Sequence, residues 1–355
     1  MKFGLFNLMT QLDRSTSTRE IVADTVSMVQ LADDIGFDIA WFAEHHFSNY
    51  SICPSPLMMA SYCAGLTKKI RLGPAVLVLP LYNPLRMVEE IGLLDVQSGG
   101  RAVIGIGSGY QKYEFDRFQQ KLSDKGAVSM EAWDILEMAM RTGAVEYSGK
   151  FFTVPHSPIA MRPLQPSGPD IYVTGLEPAV IQRIARSGHT PFITAGWKGF
   201  AVALDMRNHI ARQYAEAGRP NERFPLGVQQ YVFVTEDKAE ALDIGHRARA
   251  IGRIVTQMRA GEPVLDGPFI QAPPIPDEPP LETFRDNLVI GDAHMCAQKL
   301  ISEIRALGTT HLSIFTQIGS VPGARARRSL ERFAKDVIPL IEGELGPIGD
   351  INPID

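Results

Sequence analysis

Residues 70–106 read IRLGPAVLVLPLYNPLRMVEEIGLLDVQSGGRAVIGI. Ile70 to Leu79 is a long aliphatic strand. Pro84 to Gln97 carries a helical period and stops at Ser98-Gly99-Gly100, and Arg101 to Ile106 is strand again. A strand, a helix and a strand in direct succession make one unit of a parallel sheet. Working outward, the same rhythm fills the chain. On the N-terminal side, residues 2–8 form a buried-type strand. A helix follows over Thr18–Asp34, with apolar residues Ile21, Val22, Val26, Val29 and Leu31 and with Thr18 and Gly36 as start and stop signals. Asp38–Ala43 is a strand and Pro54–Leu66 a helix rich in Met and Ala.

On the C-terminal side, helical patterns at 112–121 and 127–142 precede a polar hairpin-like stretch near 145–155. Strands are predicted at Asp170–Val173, Thr190–Thr194, Leu226–Thr235 and Thr310–Thr316. Helices are predicted at 177–187, 199–217, 238–260, 292–307 and 324–342. Eight strand–helix units in one chain favour a closed parallel barrel over an open doubly wound sheet. The expectation is an α/β (β/α)8 TIM barrel, a single domain over 1–355 with insertions after strands 4 and 7. Residues 261–290 depart from the rhythm: they contain seven prolines and show neither period. Two readings stand for this segment, a lid over the end of the barrel where active sites are built and a disordered surface insertion.

The composition, 45% apolar and 21% charged, is that of an ordinary soluble protein, and a net charge of −5 gives no electrostatic case for nucleic acid or an anionic membrane. Cys53, Cys63 and Cys296 form no metal-type spacing and fit a reducing compartment. The first residues lack the apolar core of a signal peptide, and every apolar stretch breaks well short of about 18 residues, so neither a leader nor a membrane span is expected. The expected location is cytoplasmic.

Trp41-Phe42-Ala43-Glu44-His45-His46-Phe47 ends the second strand with two imidazoles, the side chain best suited to proton transfer near neutrality. Alternation along a strand would point His45 and His46 in opposite directions, which argues against a shared metal ion. Hydrogen bonding within a polar loop is the plainer reading. Gly105-Ile106-Gly107-Ser108-Gly109-Tyr110 closes the fourth strand with alternating glycines that let backbone approach a ligand and leave N–H groups free, or that simply make a tight turn. Val173-Thr174-Gly175 ends the fifth strand ahead of a helix. It is either a phosphate seat or an ordinary helix cap.

Taken in order, residues 41–47, Gly73 to Pro80, Asn83-Pro84-Leu85-Arg86, Leu93-Leu94-Asp95, Gly99-Gly100-Arg101, Gly107 to Gln111, Glu114-Phe115 and Val289 to Asp292 resemble the bacterial luciferase-like flavin monooxygenases. The resemblance is dense over 1–118 and returns at 288–317. It implies a barrel that binds reduced FMN, delivered by a separate NAD(P)H:flavin reductase, at the carboxyl ends of its strands. The implied reaction uses O2 through a flavin C4a-(hydro)peroxide to oxidise a small organic substrate, a carbonyl compound by preference. His45 takes the place of the family's active-site histidine. Ala75 and Val76 fall where the family often has a cis peptide against the flavin ring. Gly107, Ser108, Gly109, Tyr110, Thr174 and Gly175 complete the expected cofactor set, and Phe6, Glu44 and Trp197 the expected substrate pocket. Ser108 departs from the pattern, since many members carry an arginine there facing the phosphate. The resemblance also implies a homodimer. Two alternatives remain open: hydride transfer with the deazaflavin F420, as in other barrels of the superfamily, and flavin binding without turnover.

Overall fold

The structure, a computed structural model, describes residues 1–219 and 223–351. The remaining residues of the expected 1–355 domain, 220–222 and 352–355, lie outside that range.

The chain opens with β1 (Lys2–Asn7), α1 (Thr18–Asp34), β2 (Ile39–Phe42) and α2 (Pro56–Ala64). Then follow β3 (Arg71–Pro74), β4 (Leu77–Val78), α3 (Pro84–Ser98) and β5 (Val103–Gly107). The first insertion holds α4 (Lys112–Arg117), α5 (Lys125–Thr142) and an antiparallel hairpin of β6 (Ala144–Ser148) and β7 (Thr153–Pro158). Regular alternation resumes with β8 (Asp170–Val173), α6 (Pro178–Ser187), β9 (Thr190–Thr194), α7 (Phe200–Glu216), β10 (Gly227–Val234) and α8 (Lys238–Arg259). The second insertion contains β11 (Leu265–Asp266), β12 (Phe269–Ile270) and α9 (Leu281–Asp286). The chain closes with β13 (Val289–Gly291), α10 (Ala293–Leu307), β14 (His311–Phe315), α11 (Gly323–Arg332) and α12 (Ile338–Leu345).

The strands run parallel in the order β3-β2-β1-β14-β10-β9-β8-β5-β4. β3 pairs with β2 and β4 with β5, so the two are halves of one stave, and that stave closes the barrel. A parallel bridge between Leu72 and Ala102 ties its lower half to β5. The architecture is the expected α/β barrel with helices between parallel strands. The single strand expected over 70–79 is broken at Ala75–Val76, whose peptide bond is cis. Gly73 permits the closure: a Cβ there would stand 1.6 Å from the Val103 carbonyl oxygen.

Local chemistry sets the helix ends. α1 starts at the expected Thr18, with its cap one residue earlier: Ser17 accepts from the Glu20 N–H while the Glu20 carboxylate accepts from Ser17 N at 2.7 Å. Asn83 caps α3 through Leu85 N and Arg86 N, with Pro84 in the first turn. Asp95 and Arg101, both within the family-like motifs, are scaffold. Asp95 is fully buried and accepts from Ala102 N and from the backbone and side-chain N–H of Gln165. Arg101 ties together Ala64 O, Ile70 O and Ser98 O.

Inside the barrel, Ile39, Trp41, Val103, Tyr172 and Phe192 form one apolar layer, with Phe6 and Ala75 packed on it. His311 enters this layer and accepts a 2.8 Å hydrogen bond from Trp41 Nε1. Burial lowers the His311 pKa to about 3, so the ring is neutral. Trp41 is therefore core, and the layer shuts the barrel below the carboxyl ends of the strands.

The proline-rich segment is built onto that carboxyl-end face. Asn49, in the loop after β2, donates its N–H to Pro268 O at 2.8 Å and accepts from Ile270 N at 2.9 Å. Arg14 pairs with Asp266 and lies over the Phe269 ring. Phe284 of α9 is fully buried.

Candidate active site

Above the apolar layer the strands end in residues that are only half-buried: Ala75, Val76, Ser108, Gly109, Tyr110, Thr174 and Gly175. Gly107 joins the three stretches into a cradle. A Cβ there would stand 2.6 Å from Thr174 Oγ1 and 2.8 Å from Val76 Cγ2, so only glycine lets these surfaces meet. Thr174 N bonds Ile106 O, which keeps the end of β8 level with the end of β5. Thr174 does not cap α6, whose N-cap is Glu177. Its hydroxyl, with Gly175 (φ 146°), stays on the cradle wall. Ser108 brings no charge to this turn. Lys125, at the start of α5, brings one: its ammonium donates to Gly109 O at 2.9 Å. Sequence reading missed Lys125 because it belongs to an insertion and carries no motif. The cradle has a half-buried floor, backbone at close range and a nearby cation, which suits a planar ring carrying an anionic tail.

The two histidines point at different carboxylates. His46 Nε2 lies 3.0 Å from Glu44 Oε1, and Glu44 Oε2 accepts from Val78 N at 3.1 Å and Tyr82 OH at 2.9 Å. Burial and the Glu44 charge raise the Tyr82 pKa, so its hydroxyl stays protonated as the donor. Glu44 is thus fully engaged in fixing His46 and the chain just beyond the cradle.

His45 Nδ1 lies 3.0 Å from Glu114 Oε1 and 2.8 Å from the Gln111 side-chain amide. The same Glu114 oxygen accepts from His46 N at 2.8 Å. A carboxylate only accepts, so Nδ1 carries the proton. Gln111 Oε1 is buried and has no partner among the described residues, and turning the amide over sets that oxygen against Nδ1–H. Among the described residues nothing bonds Nε2, which is left with its lone pair open. The ring is flanked by Tyr50 at 4.6 Å and Tyr110 at 6.0 Å between centroids. Glu114 and Gln111 stand more than sixty residues from His45 in sequence, and only the fold reveals the pairing.

Phe6 lies half-buried on the apolar layer next to Ala75 and edge-on to Phe315. Trp197 stacks on Phe284 at 4.4 Å and packs against Gly252 of α8, so its indole meets the second insertion. His45, Ala75, Val76 and residues 107–110 and 174–175 come together at one end of the barrel.

Residues 1–311 match the family model for luciferase-like monooxygenases. The chain belongs to the luciferase-like monooxygenase family. It is 33% identical to the uncharacterized protein y4vJ of Sinorhizobium fredii, over 98% of this chain and 99% of that one. It is 25% identical to the oxygenase component of flavin-dependent trigonelline monooxygenase from Acinetobacter baylyi, over 96% and 95%. Among solved structures, the FMN complex of the oxygenating constituent of 3,6-diketocamphane monooxygenase from Pseudomonas putida superimposes with a TM-score of 0.76. The identity is 21%, with 96% of this chain and 98% of that one covered. The F420-dependent tetrahydromethanopterin reductase of Methanopyrus kandleri superimposes at 0.69, with 19% identity and 95% and 98% coverage. Luciferase-like members are flavin-dependent, and both FMN and F420 occur among proteins of this fold.

Proposed function

We propose that this chain is the oxygenase of a two-component system that takes reduced FMN from a separate NAD(P)H:flavin reductase and uses O2 to oxidise a small organic substrate, a carbonyl compound by preference. The observation that carries the reading is the cradle of residues 75–76, 107–110 and 174–175, set over a dry floor with the open Nε2 of His45 at its edge. Ala75, Val76, Gly107, Ser108, Gly109, Tyr110, Thr174 and Gly175 hold the flavin, with Lys125 beside the phosphate in place of an arginine at 108. Reduced FMN supplies the two electrons that activate O2, one oxygen atom going to the substrate and the other to water. Burial of Ile39, Trp41, Val103, Tyr172 and Phe192 under the cradle keeps water from reaching the ring from below. His45, held as the Nδ1–H tautomer by Glu114, accepts or returns one proton at Nε2. Phe6 borders the substrate space, Glu44 supports it through His46, and Trp197 anchors segment 261–290 as its cover.

The name of the Acinetobacter relative, an oxygenase component, supports a separate reductase. F420 is the second reading, favoured by the uncharged Ser108 and the likeness to the F420-dependent reductase. Aldehydes, cyclic ketones and sulfonates incubated with the protein, FMN, NADH and a flavin reductase separate the two. Product formation coupled to O2 uptake supports the oxygenase. Tight F420 binding without FMN binding overturns it.

The working location is the cytoplasm, consistent with three free buried thiols and with no described helix long and apolar enough to cross a membrane. The protein pairs as a homodimer through α2 and α3. Met58, Tyr62 and Leu66 line one exposed side of the α2 region, and Leu93 and Val96 are exposed on the adjoining α3. Light scattering should give a dimer mass that Tyr62→Glu with Leu93→Glu converts to a monomer. A wild-type monomer mass removes the pairing.

A further inference from the structure

At the end of α8, Arg259 holds its guanidinium 5.1 Å from the centroid of the Tyr110 ring. Four other cations on α8 and at the rim are matched to acids. Arg247 pairs with Asp243, Arg253 with Glu278 through both nitrogens, Arg249 with Glu278 at 4.0 Å, and Lys112 with Asp116 and Glu262. Among the described residues no carboxylate pairs with Arg259, which is exposed at the rim. Beneath it, Tyr110 and Tyr50 both flank His45. An unmatched guanidinium over an aromatic box, beside an open imidazole nitrogen, is a receptor for a planar anion joined to an apolar body.

We propose that Arg259 is the specificity-determining residue of this site: it receives the carboxylate of an organic acid whose body lies against Tyr50 and Tyr110, towards His45. The inference rests on the reading of the barrel mouth as an oxygenase pocket and narrows its substrates to carboxylated compounds. A flavin phosphate is the other anion that a guanidinium would hold. Lys125 already places a cation on the Gly109 side of the turn, whereas Arg259 stands on the tyrosine side. The last turn of α8 would also favour any cation through its exposed carbonyls. That role would affect thermal stability without sorting ligands.

The test is calorimetric titration of the FMN-loaded protein with two acid–amide pairs, benzoate with benzamide and hexanoate with hexanamide. The wild type should bind at least one acid about tenfold more tightly than its amide, as a charge-assisted pair provides. Arg259→Met should erase the preference and leave amide binding and the melting temperature unchanged, and Arg259→Lys should restore part of it. Titrating FMN and riboflavin against wild type and Arg259→Met distinguishes the two anions. An unchanged ratio supports the substrate role, and a collapsed ratio makes Arg259 a phosphate ligand and overturns the proposal. If the wild type binds FMN but shows no preference in either pair, this inference falls and the oxygenase reading stands. Failure to bind FMN at all removes both.

Discussion

Replacing Glu114 by glutamine probes the group that sets the state of His45. The side chain is 2% exposed and one oxygen serves both His45 Nδ1 and His46 N, at 3.0 and 2.8 Å. Glutamine preserves the shape and one acceptor but removes the charge, and it adds an N–H that competes for Nδ1. The lost charge-assisted bond is worth about 1.5–3 kcal/mol. In a serine protease triad, the equivalent carboxylate-to-amide change costs about 10⁴ in kcat through the wrong tautomer. Gln111 still faces Nδ1 here, so a smaller penalty of about 3 kcal/mol is expected, or about 150-fold in kcat. Turnover is measured with saturating reduced FMN from a reductase, and FMN affinity is measured separately by fluorescence. Glu114→Gln should lower kcat with little change in FMN affinity. His45→Ala should lose most product while it keeps the fold and the flavin. A Glu114→Gln enzyme with more than half the wild-type kcat, or one that fails only by losing FMN, would refute the tautomer argument.

Two further variants test the frame around the site. The unfolded His311 titrates near 6.5 and the folded one near 3, so unfolded chains bind the extra proton as pH falls through that window. Stability should therefore drop with acidification by up to about 1.4 kcal/mol per pH unit. His311→Gln keeps an acceptor for Trp41 and should flatten the loss in denaturant melts, and an unaltered slope would show that His311 does not govern it. Asn49→Ala removes the side-chain acceptor of Ile270 N and leaves the backbone bond to Pro268 O, and the loosened 265–270 hairpin should speed protease cleavage within 261–290 and raise peroxide release per O2 consumed. Unchanged coupling would mean that the hairpin does not cover the reaction.

Where turn signals bracket a short aliphatic run, the chain declares its strands: Asp170–Val173 and Thr190–Thr194 appear as read. The stave over 70–79 was legible as apolar from its residues, while the cis bond at Ala75–Val76 was expected only through the family resemblance, because a peptide-bond isomer leaves no residue signature of its own. The two-residue strands around Gly267 and the six-residue α9 are too short to show a period, so segment 261–290 reads as structureless although it is folded. A π turn at Phe333–Val337 splits the last helix for the same reason. The glycine turn and the histidine pair stood out as motifs. Gln111 and Glu114 fell within the family-like motifs but without a role, and Lys125 and Arg259 in none, since their roles arise from contacts across the barrel mouth.

The most direct measurement is an anaerobic fluorescence titration of reduced FMN and reduced F420 against the wild type and Gly107→Val, with circular dichroism confirming that the variant is folded. Valine would drive methyl groups into Thr174 and Val76, where even a Cβ would stand under 3 Å away. The expected result is saturable FMN binding to the wild type, weak or no F420 binding, and loss of FMN binding in the folded variant. Equal FMN affinity in both proteins, or F420 binding without FMN binding, would contradict an FMN cradle at residues 75–76, 107–110 and 174–175.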